Sequence, residues 1–207
     1  MRIYDIGANV GRFTEDNINK YKDCEFILVE ANPVLCDLLD NKFKEYENIK
    51  IVNMCVSSVD NEELDFFISE ADTISTASKE WIDNSRFNNY KYFEPIKSKS
   101  ITIESLISQY GKSDYTKIDV EGYEKIVILG IKKNIGLISF EWAEELKEDI
   151  KESILHLYLI GYKEFYISYS DEYTFIPNNF SDYDSLKSEV DSLDISRKEK
   201  WGMIFAK

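Results

Sequence analysis

The sequence predicts an α/β protein, a mostly parallel sheet covered by helices on both faces. Three observations predict it. Short apolar runs alternate with helix-period patterns along most of the chain. The first of those runs passes directly into a glycine turn and then a helix. Only three prolines and eight glycines are spread over 207 residues, with no repeat and no linker, so one continuous core and a single domain over 1–207 are expected.

The elements follow in order. Residues 3–6 read as a strand and 12–22 as a helix; 26–29 as a strand and 33–46 as a helix; 49–56 as the third strand. Residues 69–98 are irregular and rich in Ser, Asn and aromatics, and long irregular stretches in a compact domain are usually functional or mobile. Helix 103–110, strand 115–120, helix 123–132 and strand 137–140 resume the alternation. A long amphipathic helix over 144–159 is closed by Gly161 as its cap. Two β-rich runs, 164–170 and 201–206, make seven strands in all and are expected to pair as an antiparallel edge hairpin. Between them 178–200 is polar and acidic, an insertion with a short helix around 183–193.

A formal net charge of −14 repels a phosphate backbone or an anionic membrane, so neither nucleic acid nor membrane is an expected partner. Cys24, Cys36 and Cys55 are odd in number, without a CxxC pair, and share the chain with one histidine; they read as reduced, mostly buried thiols of a cytoplasmic protein. No stretch approaches the ~20 apolar residues of a membrane span, and Arg2 followed by Tyr4 and Asp5 is not a signal peptide. The strand pattern begins at Ile3 without a lead-in helix, which suggests a domain cut from a longer polypeptide, with other domains of the parent chain as partners.

The stretch IYDIGANVG, residues 3–11, is a strand, a glycine turn and a helix start, an arrangement that brings backbone N–H groups to a ligand. Gly7 and Gly11 would let a cofactor lie against bare backbone. A dinucleotide-binding GxGxxG turn needs a glycine where Asn9 stands. Asp5, at the strand end, suits the ammonium and sulfonium side of S-adenosyl-L-methionine and is badly placed for a diphosphate. About 20 residues on, Glu30, followed by Ala31 and Asn32, stands where α/β nucleotide binders place an acid on the ribose hydroxyls; a solvated strand-end charge is the alternative.

Five segments, DIGANVGRFT (5–14), VEANP (29–33), TIESLISQYG (102–111), KIDVEGYE (117–124) and ISFE (138–141), resemble the FkbM-type methyltransferases in order and spacing. The resemblance covers about two thirds of the chain. It implies a class I methyltransferase (Rossmann-like) fold and O-methyl transfer, often to a sugar or a related natural-product hydroxyl. In that fold Cys55 and Val56, ending the third strand, lie next to the adenine, although core packing is an equal reading of both.

Ligands of an open parallel sheet bind outside the carboxyl ends of its strands. Asp119 and Glu141 end adjacent strands and would meet at the mouth of the cofactor cleft. Methyl transfer to a hydroxyl needs in-line positioning and removal of a proton. Asp119 is therefore the expected base, also touching the cofactor, with Glu141 beside it; alternatively the two hold a divalent cation such as magnesium (Mg2+). Asp119 and Glu121 as caps of the following helix are the structural alternative. His156, the only histidine, sits in an apolar helix and reads as packing. Residues 72–78, with Trp81, Tyr90, Tyr92 and Phe93, suit a small-molecule or glycan acceptor, which offers hydroxyls and apolar ring faces, although ordinary loop chemistry is an equal reading of them. The competing functions are a catalytically silent cofactor-binding module of a larger protein, an O-methyltransferase for a non-sugar natural product, and, disfavoured by the turn, an NAD-dependent oxidoreductase.

Overall fold

A computed structural model describes residues 1–169 and 177–207. The strands are β1 (Arg2–Ile6), β2 (Glu25–Glu30), β3 (Ile49–Asn53), β4 (Cys55–Val56), β5 (Glu63–Phe66), β6 (Ile96–Ile101), β7 (Tyr115–Ile118), β8 (Leu137–Ala143), β9 (Phe165–Ile167) and β10 (Trp201–Ala206). The helices are α1 (Arg12–Ile18), α2 (Pro33–Phe43), α3 (Lys79–Asn84), α4 (Ile103–Tyr110), α5 (Glu124–Gly130), α6 (Lys147–Leu159) and α7 (Tyr183–Asp191).

Seven strands form one sheet in the order β3-β2-β1-β7-β8-β10-β9, parallel from β3 to β8. Period-two alternation divides its residues between two cores. Ile3, Phe26 and Leu28 meet Phe13 of α1 and Leu39 and Phe43 of α2 on one face. Tyr4, Ile6, Ile27 and Val29 share the other core with Leu106 of α4, Val127 and Ile128 of α5, Ile154 of α6 and Val190 of α7. Parallel strands buried on both faces need apolar residues at nearly every position, which is why they read as continuous runs.

The expected antiparallel pair is present, with Ile204 of β10 opposite Ile167 of β9. β10 also pairs antiparallel with β8, so it fills an interior position and β9 takes the edge. Ser170, the expected end of that run, lies outside the described residues.

Several boundaries differ from expectation. The run 49–56 is two strands: the backbone turns at Met54, whose N–H donates to Val52 O at 3.1 Å, and β4 leaves for a second sheet of order β4-β6-β5. That small sheet occupies part of the stretch expected to be irregular. Its central strand buries Ser98 and Ser100, and Ser100 Oγ donates to Val59 O (2.7 Å) while accepting from Glu62 N (2.9 Å). A strand whose inward residues are hydroxyls lacks apolar alternation. β8 runs to Ala143, three residues past the expected strand, and α6 begins at Lys147 after a 3-10 turn, Glu144–Leu146. The short helix in the acidic insertion is α7, capped by Asp182, which accepts from Ser185 N at 2.9 Å. No described helix is long and apolar enough to cross a membrane.

Candidate active site

The carboxyl ends of β1, β2, β7 and β8 open into a cavity of about 580 Å³. Its floor is the turn after β1. Gly7 has φ 73°, and a Cβ there would stand 1.8 Å from the carbonyl oxygen of Asp119. Gly7 lines the cavity, yet what forbids a side chain is the backbone at the end of β7, not space kept for a ligand. Gly11 (φ 77°) is a correction: it lies outside the cavity lining, and a Cβ on it would meet Leu39 and Phe43, so it lets α1 approach α2. Asn9 adopts a left-handed φ of 49° and stitches the turn together. Its N–H donates to Glu30 Oε2 (2.8 Å), its Oδ1 accepts from Val10 N (2.6 Å) and its Nδ2 donates to Asp72 O (2.9 Å).

Glu30 and Ala31 line the cavity. The Glu30 carboxylate is buried, which pushes its pKa up, while the backbone N–H groups of Asn32 and Asn9 each donate to one of its oxygens at 2.8 Å and hold it down. Each oxygen keeps a second lone pair for a further donor. Asn32 is corrected to a structural role: it caps α2, its Oδ1 accepting from Val34 N (3.0 Å), and does not line the cavity. Met54, Cys55 and Val56 form an apolar strip of the wall. Burial raises the Cys55 thiol to about 12, so it is a packing group rather than a nucleophile. All three cysteines are free and buried.

Asp5 is the larger correction. Alternation along β1 puts its side chain with Ile3 on the α1 side, where it is fully buried and absent from the cavity lining. Its Oδ2 accepts from Thr14 Oγ1 at 2.9 Å, and Lys117 Nζ lies 3.3 Å from Oδ1. Burial raises its pKa and Lys117 opposes the rise. Lys117, which sequence reasoning passed over, links Asp5 to the cavity: directly across from it in register, it donates to Gly7 O (3.0 Å) and stands 3.2 Å from Asp119 Oδ2. An apolar strand with one lysine facing an aspartate on the neighbouring strand is the signal that was available.

Asp119 and Glu141 meet as expected, and Glu124 joins them; one carboxylate oxygen from each lies within 4.8 Å of the others. Glu124 opens α5, accepts from Val120 N at 2.7 Å and is buried. Burial first, and Asp119 in addition, push its pKa up to about 7 against the pull of backbone N–H groups. The chain reverses at Glu121 and Gly122, with φ of 53° and 79°, which brings Glu124 back beside Asp119. The sequence reading stopped at Glu121, which lines the cavity.

The far wall comes from the irregular region. Thr76 Oγ1 donates to Glu121 O (2.6 Å), and the ring of Trp81 lies so close to Gly122 that a Cβ there would be 2.7 Å away. Asp72, Thr73, Ile74, Ser75, Ala77 and Trp81 line the cavity; Tyr90, Tyr92 and Phe93 do not, Tyr90 packing edge-on to Phe87 at 5.9 Å. Phe87, Arg86 and Trp201 take their place. Arg86 is clasped: Nε and Nη2 donate to the two oxygens of Glu145 (2.9 and 2.5 Å), and Nη2 also to Lys200 O (2.9 Å). Glu144 Oε2 accepts from the N–H groups of Glu199 and Lys200, and Lys198 Nζ donates to Asn84 O. His156 is structural, its Nε2 donating to Ile131 O at 2.7 Å.

A family model described as the methyltransferase FkbM domain matches residues 5–164. The chain belongs to the FkbM methyltransferase family. FkbM proteins depend on S-adenosylmethionine, and the cavity's chemistry fits that cofactor: buried carboxylate oxygens at Glu30, an apolar strip at 54–56, and further carboxylates suited to an ammonium and a sulfonium. The precorrin-6y C5,15-methyltransferase of Geobacter metallireducens GS-15 has the same fold, with TM-score 0.51 and 11% identity over 100% of this FkbM chain and 79% of its own. A TehB-like SAM-dependent methyltransferase from Corynebacterium glutamicum gives 0.45 at 10% identity, over 100% and 79%. A SAM-dependent O-methyltransferase from Thermotoga maritima gives 0.44 at 13%, over 99% and 58%. No curated protein sequence matches the chain.

Proposed function

We propose that this FkbM protein is an O-methyltransferase acting on a hydroxyl of a sugar or glycan. One observation carries the reading: a single cavity joins Glu30 and the apolar strip at 54–56 to the Asp119 and Glu141 carboxylates, and beyond them to an aromatic wall of Trp81, Phe87 and Trp201. Bound S-adenosylmethionine supplies an electrophilic methyl group on a sulfonium. Glu30 accepts hydrogen bonds from the ribose hydroxyls, and 54–56 packs against the purine. The aromatic wall packs against the apolar face of a sugar ring and excludes water, while Ser75 and Thr73 offer hydroxyls to its polar edge. Asp119, held by Lys117, would accept the proton of the acceptor hydroxyl as the new C–O bond forms and the methyl–sulfur bond breaks, leaving S-adenosylhomocysteine. Glu124 stands by as a second group able to hold a proton near neutral pH.

The cluster of Asp119, Glu124 and Glu141 favours a second reading, in which hard oxygen ligands hold a divalent cation such as magnesium that lowers the acceptor's pKa. The deciding experiment is transfer of labelled methyl from S-adenosylmethionine to a panel of sugars, glycosides, nucleotide sugars and small phenols, with and without EDTA. Label is expected on a sugar hydroxyl and turnover is expected to survive the chelator. Transfer only to phenols would overturn the acceptor class, and activity restored by magnesium after EDTA would replace the base with the cation. Asp119→Asn should cut turnover by roughly 10²–10⁴-fold, with affinity for S-adenosylhomocysteine moving far less.

A further inference from the structure

The charges on the cavity wall are uneven. Glu30, Asp72, Asp119, Glu121 and Glu141 line it, against three cations, Arg12, Arg86 and Lys117. Two of those cations are taken up inside the protein. Lys117 faces Asp5 at 3.3 Å and Asp119 at 3.2 Å, and Arg86 is clasped by Glu145 and Lys200 O. Arg12 has no ion pair or hydrogen bond from its side chain among the described residues. It is exposed, and it follows directly on the turn that carries Asn9.

The methionyl end of the cofactor bears an ammonium and a carboxylate. An acidic wall attracts the first and repels the second, so a carboxylate entering this cavity needs a cation that is not already neutralised. We propose that Arg12 is that cation: it pairs with the α-carboxylate of S-adenosylmethionine at the rim of the cavity and makes binding selective for adenosyl compounds that keep their amino-acid end. The proposal rests on the reading of this cavity as the cofactor site. A guanidinium suits the role because its fork of N–H donors matches both oxygens of a carboxylate.

Calorimetric titration with two probes at low and moderate salt tests it without any acceptor. S-adenosylhomocysteine keeps the carboxylate; 5′-methylthioadenosine lacks the whole amino-acid end. In Arg12→Ala the affinity for S-adenosylhomocysteine should fall about tenfold, the scale of a partly exposed charge-assisted pair, while that for 5′-methylthioadenosine stays unchanged. The wild type should lose S-adenosylhomocysteine affinity as salt rises, and the variant should lose that dependence. Arg12→Lys should recover part of the affinity. An unchanged S-adenosylhomocysteine affinity in Arg12→Ala overturns the pairing, as does equal weakening of both probes. Failure of the wild type to bind either probe overturns the cavity's assignment as the cofactor site, and the Arg12 pairing with it.

Discussion

Gly7 shows how one residue can be required for two different reasons. A left-handed φ costs a residue with a side chain about 1–3 kcal/mol, and here a Cβ also stands 1.8 Å from Asp119 O. Gly7→Ala is therefore expected to lose the fold before it loses the cofactor, visible as a collapse of the urea midpoint or of soluble yield; a variant with wild-type stability and no S-adenosylhomocysteine binding would contradict this. Glu30 is similar, because its carboxylate supports the backbone of Asn9 and Asn32 as well as facing the cavity. Removing the acceptor leaves buried N–H groups unpaired at roughly 1–3 kcal/mol. Glu30→Ala should thus weaken S-adenosylhomocysteine binding and lower stability together, which calorimetry and urea titration read separately. Glu124 adds a pH dependence. Its carboxyl is raised from 4.5 to about 7 in the fold, so the folded protein binds the extra proton between those values and stability falls as pH rises through that window. Glu124→Gln should gain stability relative to the wild type at pH 8 over pH 5, by roughly 1–3 kcal/mol; parallel curves would refute the shift. That Asp119, Glu141 and Glu30 would line a common cavity was legible because strand ends are where such sheets open. Asp5, Gly11 and Asn32 were misassigned because a motif fixes the backbone path and leaves open which way each side chain faces.

Among elements, the wall built by α3 and the segment after it is held by the Arg86 clasp. Glu145 is buried beneath Arg86, its side chain 5% exposed. Arg86→Ala would leave that carboxylate without its cation, a change that typically costs about 3–5 kcal/mol. The expected result is a lower melting temperature and a raised KM for the acceptor, with S-adenosylhomocysteine affinity held; loss of cofactor binding instead would place Arg86 on the wrong side of the cavity. Sequence patterns could not reveal this wall. Arg86 meets residues more than fifty positions away, and β6 hides its inward face behind serines, so neither periodicity nor a local motif marks them. The helices flanking the main sheet were legible because their apolar residues are core residues, although α1 stops at Ile18, short of the expected end.

For the molecule as a whole, the alternation of strands and helices was enough to foresee a seven-stranded sheet with both faces covered, because burial on two sides forces near-continuous apolar runs. The three-stranded sheet beside it was not foreseen. The interior place of β10 carries energetic weight. Ile204 is fully buried between β8 and β9, and Ile204→Ala should cost about 2–5 kcal/mol, measured as a shift in urea midpoint with an unchanged slope. Synthesis gives the same feature a temporal meaning. β9 precedes β10 in the chain, yet its sheet partner among the described strands is β10 alone. While the ribosome is still adding the acidic insertion, β8 presents an open edge and β9 lacks its strand partner, held only by the bridge of Phe165 to Ser181 within that insertion. Exposed strand edges recruit other chains, so nascent protein passes through an interval of vulnerability to aggregation that ends only when the wedge of β10 arrives and closes the gap.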